Sequence, residues 1–248
     1  MVVTAISVLL GLGVGLSSRL LLLVGVTVLV GQLSIGWSND WLDAARDSAS
    51  GRTDKPTTTG DVGVNRLRAA ALTALVVSIP LSLLAGVSAG MCQLLLVASG
   101  WAYNLGLKRV VLSPLPYAVG FGALPAYVTQ AGAMGVQAWM VLAGGLLGVA
   151  AHFANAAPDV GGDLSVGVRG APQRLGTRAS LLVALALLAA GGVTAVMQQE
   201  SDAAAGWLAV LVPPAVGAVL VVRGQVKPVF PLVMCAALID VAVIVVAA

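Results

Sequence analysis

The chain has 248 residues, of which 59% are hydrophobic and only 9% are charged, whereas a soluble globular domain carries roughly 25% charged residues. With so few charged residues, the chain cannot cover the surface of a water-soluble fold. The composition therefore excludes a soluble globular protein and indicates an integral membrane protein. The formal net charge of +3 reflects loops beside the membrane rather than a nucleic-acid-binding face, and nucleic acid is not an expected partner.

Nine apolar segments follow one another along the chain, and each has about the length of one α-helical bilayer crossing. None shows the alternation of apolar and polar residues that a membrane β-barrel requires. The sequence therefore predicts an all-α integral membrane protein that forms a single domain over residues 1–248. The predicted spans are about 2–17, 20–38, 67–86, 89–106, 111–129, 134–154, 178–197, 205–222 and 228–247.

The basic residues lie almost entirely on one side of these predicted spans. Twelve of the thirteen Lys and Arg residues fall in alternate connections, and Arg19 alone lies on the other side. An excess of basic residues marks the cytoplasmic side. We therefore expect a multi-pass protein of the plasma (cytoplasmic) membrane, with its N-terminus and its two long loops, about 39–66 and 155–177, in the cytoplasm.

Seven of the ten acidic residues lie in these two long loops. The first loop has candidate metal ligands one helical turn apart: Asn39, Asp40, Asp43 and Asp47. The second repeats a four-residue spacing: Asn155, Asp159 and Asp163. Such oxygen ligands suit Mg²⁺, which binds through one or two carboxylates plus substrate phosphates. The pattern predicts Mg²⁺ ions held on a diphosphate, and the alternative is that these acids are solvated loop charges.

Three segments in a fixed order carry a family resemblance. "NDWLDAARD" (Asn39–Asp47) has the form NDxxDxxxD, and "PDVGGDLSVGVRGAPQRLG" (Pro158–Gly176) combines two acids with a later Gly, a basic residue, Pro and Gly. Between them lie "YNLGLKR" (Tyr103–Arg109) and "PLPYAVGFGALP" (Pro114–Pro125). Together these segments resemble the UbiA superfamily of intramembrane prenyltransferases, over about residues 30–178.

The resemblance implies a nine-helix bundle around a central cavity, capped on the cytoplasmic side by the two motif loops. It also implies a Mg²⁺-dependent enzyme, and it assigns the metal to Asn39, Asp40, Asp43, Asp47, Asn155, Asp159 and Asp163. The diphosphate would be gripped by Arg52, Lys55, Lys108 and Arg169. The residues expected to act directly in catalysis are Asp43, Asp163 and Tyr103, a tyrosine near the reacting end.

Two features depart from the pattern of the superfamily. The first acid of the second motif is replaced by Ala156, so that either the neighbouring Asn155 serves as a neutral ligand or that contact is lost. The first helix lacks the polar stretch and the Asn or Arg that usually lie near the acceptor. Either the acceptor pocket differs here or the start of the chain is truncated.

These features predict an enzyme that transfers a polyprenyl group from its diphosphate to a lipophilic or small acceptor within the membrane lipid, releasing pyrophosphate. A UbiA-type terpene cyclase acting on the same diphosphate is one alternative. A non-enzymatic lipid or ion transporter is the other, although transporters usually place ionisable residues near the bilayer midplane. The acceptor, the prenyl chain length and the oligomeric state do not follow from the sequence.

Overall fold

The structure, a computed structural model, describes residues 1–49, 62–165, 167–199 and 204–248, and of residues 46–49 it describes only the backbone. These residues form α-helices and short 3-10 turns, and no strand occurs among them. Eleven α-helices are present in the described ranges: α1 (Val2–Gly13), α2 (Ser18–Ala49), α3 (Val64–Leu83), α4 (Val87–Leu105), α5 (Leu115–Ala131), α6 (Ala138–Ala156), α7 (Val160–Ser165), α8 (Ala171–Leu175), α9 (Thr177–Val196), α10 (Ala204–Val222) and α11 (Val229–Ala247).

Six of these helices are long and apolar enough to cross a membrane: α2, α3, α6, α9, α10 and α11. The prediction of an all-α, multi-pass membrane protein is therefore confirmed. The predicted number of nine spans is not confirmed, because α1 has only 12 residues and α4 and α5 are not among the six apolar helices. A crossing requires roughly 20 apolar residues.

The length of α2 positions the first acidic motif. With 32 residues at 1.5 Å each, α2 is about 48 Å long, whereas the hydrocarbon core of a bilayer is only about 30 Å thick. The last third of α2 therefore extends beyond one bilayer thickness and carries residues 39–47. The predicted span ends near residue 38, and the helix continues beyond it to Ala49, so the first part of the predicted loop is helical, as the one-turn spacing of its acids requires.

The helices are arranged so that chain neighbours are also neighbours in space. Helix α2 packs against α1, α3 and α4, α5 packs between α4 and α6, and α9 packs against α6, α10 and α11. Helix α11 also returns to α1. Small residues allow the closest of these contacts, because a Cβ atom at Gly148 of α6 would lie only 2.5 Å from the Tyr117 carbonyl oxygen of α5.

Candidate active site

The first acidic motif lies on the last turns of α2. Asn39 and Asp40 are half-buried there, and Asp43 is only 3% exposed. Asp47 is on the same helix, but its side chain is outside the described part of the chain. The predicted diphosphate-binding residues Arg52 and Lys55 also lie outside the described residues.

Lys108 brings a positive charge to the acidic side chains of this motif. Helix α4 ends at Leu105, and the 3-10 turn Leu107–Arg109 that follows it carries Lys108 back towards α2. The Lys108 Nζ atom donates to both carboxylate oxygens of Asp43 at 2.6 Å and to Asn39 Oδ1 at 3.4 Å. Since Lys108 is itself only 6% exposed, the two side chains form a buried ion pair.

A series of polar contacts holds α4 against α2 beneath this pair. Asn104 Nδ2 donates to Ser38 Oγ and to the Ile35 carbonyl oxygen, both at 2.8 Å. One turn further along, Trp101 Nε1 donates to Ser34 Oγ at 3.2 Å. These bonds fix the end of α4, and they therefore determine where the Lys108 turn begins.

The second motif is less regular than the first. A 3-10 turn, Ala157–Asp159, interrupts the helix where α6 ends, and α7 continues for only six residues. Proline and paired glycines weaken a helix at these positions. Asn155 and Asp159 are exposed, whereas Asp163 is half-buried and accepts a hydrogen bond from Gln173 Nε2 at 2.7 Å.

The loop after Lys108 connects the second motif to the first. Ser113 Oγ accepts a hydrogen bond from the Ala171 backbone N–H at 3.0 Å and lies 2.9 Å from His152 Nε2. A Cβ atom at Gly170 would lie 2.9 Å from the Lys108 carbonyl oxygen and 2.8 Å from Ser113 Oγ. The second motif therefore packs directly on the segment that positions Lys108. Arg169 itself is exposed.

Tyr103 lies where the two motifs converge. The second motif contacts Ser113 Oγ, which lies 2.9 Å from His152 Nε2. Tyr103 lies edge-on to that His152 ring, with centroids 5.7 Å apart, and lines the same cavity as Asn39 of the first motif. Its ring packs edge-on against Tyr117, with centroids 5.1 Å apart, and Tyr117 stacks on Phe121 with centroids 6.1 Å apart. The two motifs thus border one aromatic-lined region.

Two cavities extend from this region into the bundle. The first, of about 510 Å³, lies between α2, α4 and α5, and we name it the polar-walled cavity after its six polar lining residues: Gln32, Asn39, Ser99, Tyr103, Asn104 and Tyr117. The second, of about 290 Å³, lies between α1, α5, α6, α9 and α11. Asn155 is its only polar lining residue among those the structure describes, and we name it the apolar cavity.

The sequence and the fold both match one known family. The model of the UbiA prenyltransferase family matches residues 1–229, which is most of the chain. The chain belongs to the UbiA prenyltransferase family. Among curated protein sequences, none matches it.

Solved structures show that the fold is also that of UbiA proteins. The apo structure of a UbiA homologue from Aeropyrum pernix K1 has a TM-score of 0.74 and 20% identity, with 98% of this chain and 97% of the homologue covered. A UbiA homologue from Archaeoglobus fulgidus bound to GPP and Mg²⁺ has a TM-score of 0.67 and 14% identity, covering 98% and 94%. A digeranylgeranylglyceryl phosphate synthase has a TM-score of 0.62 and 17% identity, covering 99% and 90%.

The donor chemistry at the end of α2 fits the divalent cation expected from the UbiA resemblance. Asn39 and Asp43 already converge on one positive charge, the Lys108 ammonium group, and their oxygen atoms are of the kind that Mg²⁺ prefers. No group of three His, Cys, Asp or Glu side chains that could hold a metal occurs among the described residues. Mg²⁺ sites that are completed by substrate phosphates need only one or two carboxylates.

Three residues that connect the parts of this UbiA site were not predicted from the sequence: Gln173, Ser113 and Asn104. Each is a neutral polar residue whose role is visible only through its partner on another helix. The sequence gives a weak indication of Ser113 alone, because it is the only hydroxyl-bearing residue between Arg109 and Tyr117. A polar residue within an apolar stretch of a membrane protein often marks such an interhelical contact.

Proposed function

We propose that this chain is a Mg²⁺-dependent intramembrane prenyltransferase, which moves a polyprenyl group from its diphosphate to an acceptor and releases pyrophosphate. The observation that carries the proposal is the buried pair of Asp43 and Lys108, because the second motif packs through Gly170 and Ala171 on the segment that carries Lys108. Asn39 of the first motif lines the polar-walled cavity, and Asn155 of the second motif lines the apolar cavity. The UbiA homologue from Archaeoglobus fulgidus, which binds GPP and Mg²⁺, supports the same chemistry here.

The proposed mechanism assigns separate tasks to the residues of the site. Asn39, Asp40, Asp43, Asp47, Asn155, Asp159 and Asp163 are the candidates for holding Mg²⁺. When bound, the metal ions would neutralise the charge that develops on the leaving pyrophosphate. Lys108 and Arg169, with Arg52 and Lys55 from the chain beyond the described residues, would grip its oxygen atoms.

The chemical step replaces one bond to the prenyl group with another. The bond between C1 and the diphosphate oxygen breaks, and its electron pair leaves with pyrophosphate. C1 then bonds to the acceptor, which gives up a proton to the released pyrophosphate. The Tyr103 and Tyr117 rings line the polar-walled cavity, and they can stabilise positive charge on the prenyl group. The apolar cavity excludes water.

Charge distribution supports a cytoplasmic location for the site. The basic residues at the acidic end include Arg66, Lys108, Arg109, Arg174 and Arg223, whereas Arg19 lies at the opposite end of α2. We infer from this asymmetry that the site faces the cytoplasm of a multi-pass protein in the plasma membrane. The proposed number of spans is nine, with α1, α4 and α5 added to the six apolar helices.

The decisive experiment measures pyrophosphate release by the purified protein with farnesyl or geranylgeranyl diphosphate, with and without Mg²⁺. We expect release to require Mg²⁺ and to fall about a hundredfold or more in Asp43→Asn and Asp163→Asn. Asp240→Asn is the matched control, because Asp240 is a buried acid on α11 that contacts Gly192 rather than either motif. Full activity in both motif variants would reject the assignment.

Analysis of the organic product separates the two enzymatic alternatives. A prenylated acceptor supports the transferase, whereas a cyclic hydrocarbon or alcohol formed without any acceptor identifies a terpene cyclase. If purified protein in liposomes moves ions or lipid and releases no pyrophosphate, it is a transporter instead.

A further inference from the structure

His152 is the only histidine of the chain, and the proposed mechanism gives it no task. It lies on α6 and is only 3% exposed. The centroid of its ring lies 4.7 Å from that of Tyr117 and 5.7 Å from that of Phe153. Burial of a polar imidazole among aromatic rings is costly unless its nitrogen atoms are hydrogen-bonded. The bond that His152 makes therefore indicates what it does.

The partner of His152 is Ser113, which is fully buried. The Ser113 Oγ atom accepts a hydrogen bond from the Ala171 backbone N–H at 3.0 Å and lies 2.9 Å from His152 Nε2. A buried hydroxyl proton requires an acceptor, and Nε2 is within reach of it. We therefore assign the ring proton to Nδ1, so that Ser113 donates to Nε2. This bond fixes the rotation of the Ser113 hydroxyl group and leaves an oxygen lone pair for the Ala171 N–H.

Helix α8 extends this restraint to the second acidic motif. It has only five residues, and two of them connect it to the site. Ala171 donates its N–H to Ser113 Oγ, and Gln173 Nε2 donates to Asp163 Oδ2 at 2.7 Å. A helix of this length is not stable by itself, so contacts with its surroundings determine its position. The bond to Ser113 therefore also determines where the Gln173 amide meets Asp163.

We propose that His152 is a positioning residue, which acts on Asp163 through Ser113 and α8. This inference rests on the proposed prenyltransferase function and adds a residue to its site. His152 orients Ser113, Ser113 holds the first residue of α8, and α8 presents Gln173 to Asp163. Without His152, the second motif should bind the metal-chelated diphosphate more weakly. Once bound, the substrate holds the motif in place, so the chemical step should proceed at nearly the normal rate.

The first test measures hydrogen–deuterium exchange of residues 168–176 in the purified protein without substrate. We expect exchange to be about tenfold faster in His152→Phe than in the wild type, because the Ala171 N–H loses an oriented acceptor. Ser113→Ala removes the acceptor itself and should have the same effect. His152→Gln keeps an acceptor for the Ser113 hydroxyl group and should retain slow exchange.

Phe153→Leu is the matched control for loss of packing. Phe153 is the next residue on α6 and is 6% exposed, but its ring has no atom that can accept the Ser113 proton. This variant should lower the unfolding temperature as His152→Phe does and leave the exchange of residues 168–176 unchanged. A purely structural role of His152 would make the two variants alike.

Steady-state pyrophosphate release provides the functional test. In His152→Phe we expect the KM for the prenyl diphosphate to rise about tenfold while kcat changes less than about twofold. His152→Gln should restore the wild-type KM, and Phe153→Leu should leave it unchanged.

If His152→Phe does not fold, the wild-type protein supplies a check that needs no variant. Because His152 is the only histidine, NMR of protein labelled with ¹⁵N-histidine reports this residue alone once any histidine tag is removed. We expect the spectrum to show a neutral ring with the proton on Nδ1. A proton on Nε2 contradicts the assigned bond and with it the positioning role.

The outcomes distinguish this inference from the proposed function. Unchanged exchange of residues 168–176 in His152→Phe, or equally fast exchange in His152→Phe and His152→Gln, overturns the positioning role, whatever the pyrophosphate assay shows. Absence of Mg²⁺-dependent pyrophosphate release contradicts the prenyltransferase itself, and the exchange measurement can still be made. Fast exchange and a raised KM in His152→Phe, both restored by His152→Gln, support the inference.

Discussion

At the scale of single residues, the site depends on the buried pair of Lys108 and Asp43. Both side chains are almost fully excluded from solvent, and the ammonium group lies 2.6 Å from each carboxylate oxygen. Transfer of either charge from water is costly, and the attraction between them offsets this cost only while both are present. The pair therefore couples the first motif to the turn after α4.

This coupling predicts a strongly non-additive double-mutant cycle. Lys108→Met should lower the free energy of unfolding by about 3–5 kcal/mol, because it removes the ammonium group that bonds to both oxygens of the buried Asp43 carboxylate. The double variant Asp43→Asn/Lys108→Met should recover most of that loss. Denaturant unfolding of the four proteins in detergent measures the interaction energy. If the two single effects simply add, the pair is not energetically coupled.

At the scale of elements, the two motifs are built differently. The first lies on one continuous helix that extends beyond the bilayer thickness, so its ligands share a face by helical spacing alone. The second crosses a 3-10 turn and two short helices, and its position depends on contacts with the 107–113 segment. Gly170 packs so closely on this segment that a Cβ atom there would lie 2.9 Å from the Lys108 carbonyl oxygen.

Gly170→Ala is therefore expected to damage the site without unfolding the bundle. Its Cβ atom would lie 2.7–2.9 Å from Gln173 Oε1, Ser113 Oγ and the Lys108 carbonyl oxygen, and overpacking of this kind costs about 1–3 kcal/mol. Since small displacements of catalytic groups can reduce rates about a hundredfold, pyrophosphate release should fall at least tenfold.

Gly161→Ala is the matched control for this prediction. Gly161 lies on α7 in the same motif, but a Cβ atom there would meet nothing within 4 Å. Its rate of pyrophosphate release should stay near the wild-type value. If the two variants have equal rates, the packing of Gly170 on the Lys108 segment does not position the site.

At the scale of the whole molecule, the helices enclose two cavities that meet beside the motifs. Phe121 lines both, and its ring stacks on Tyr117. The side chain thus forms part of the wall between the polar-walled cavity and the apolar cavity. It also restricts the volume that water can enter near the reacting carbon.

Phe121→Ala should merge the cavities and change the distribution of products. We expect the fraction of prenyl alcohol, formed when water captures the prenyl group, to rise several-fold relative to the prenylated acceptor. Phe230→Ala, which removes a half-buried ring that lines neither cavity, controls for the loss of an aromatic side chain. Chromatography of the organic extract measures both products, and an unchanged ratio would show that Phe121 does not exclude water.

The sequence by itself determined the class of the protein and most of its candidate site residues. Apolar runs of about one bilayer thickness indicate transmembrane helices because lipid cannot hydrogen-bond the backbone. The spacing of Asn39, Asp40 and Asp43 indicates a shared helical face because a helix repeats every 3.6 residues. Both arguments use only local geometry, which the chain order contains.

Only the tertiary structure decided which of these residues meet, since contacts between helices depend on packing rather than on spacing along the chain. Lys108 reaches Asp43 across 65 positions of sequence, and Ser113 reaches the Ala171 N–H across 58. The division of the interior into a polar-walled and an apolar cavity likewise arises where side chains from several helices come together. No single segment carries that division, because each wall is completed by residues that are distant in the chain.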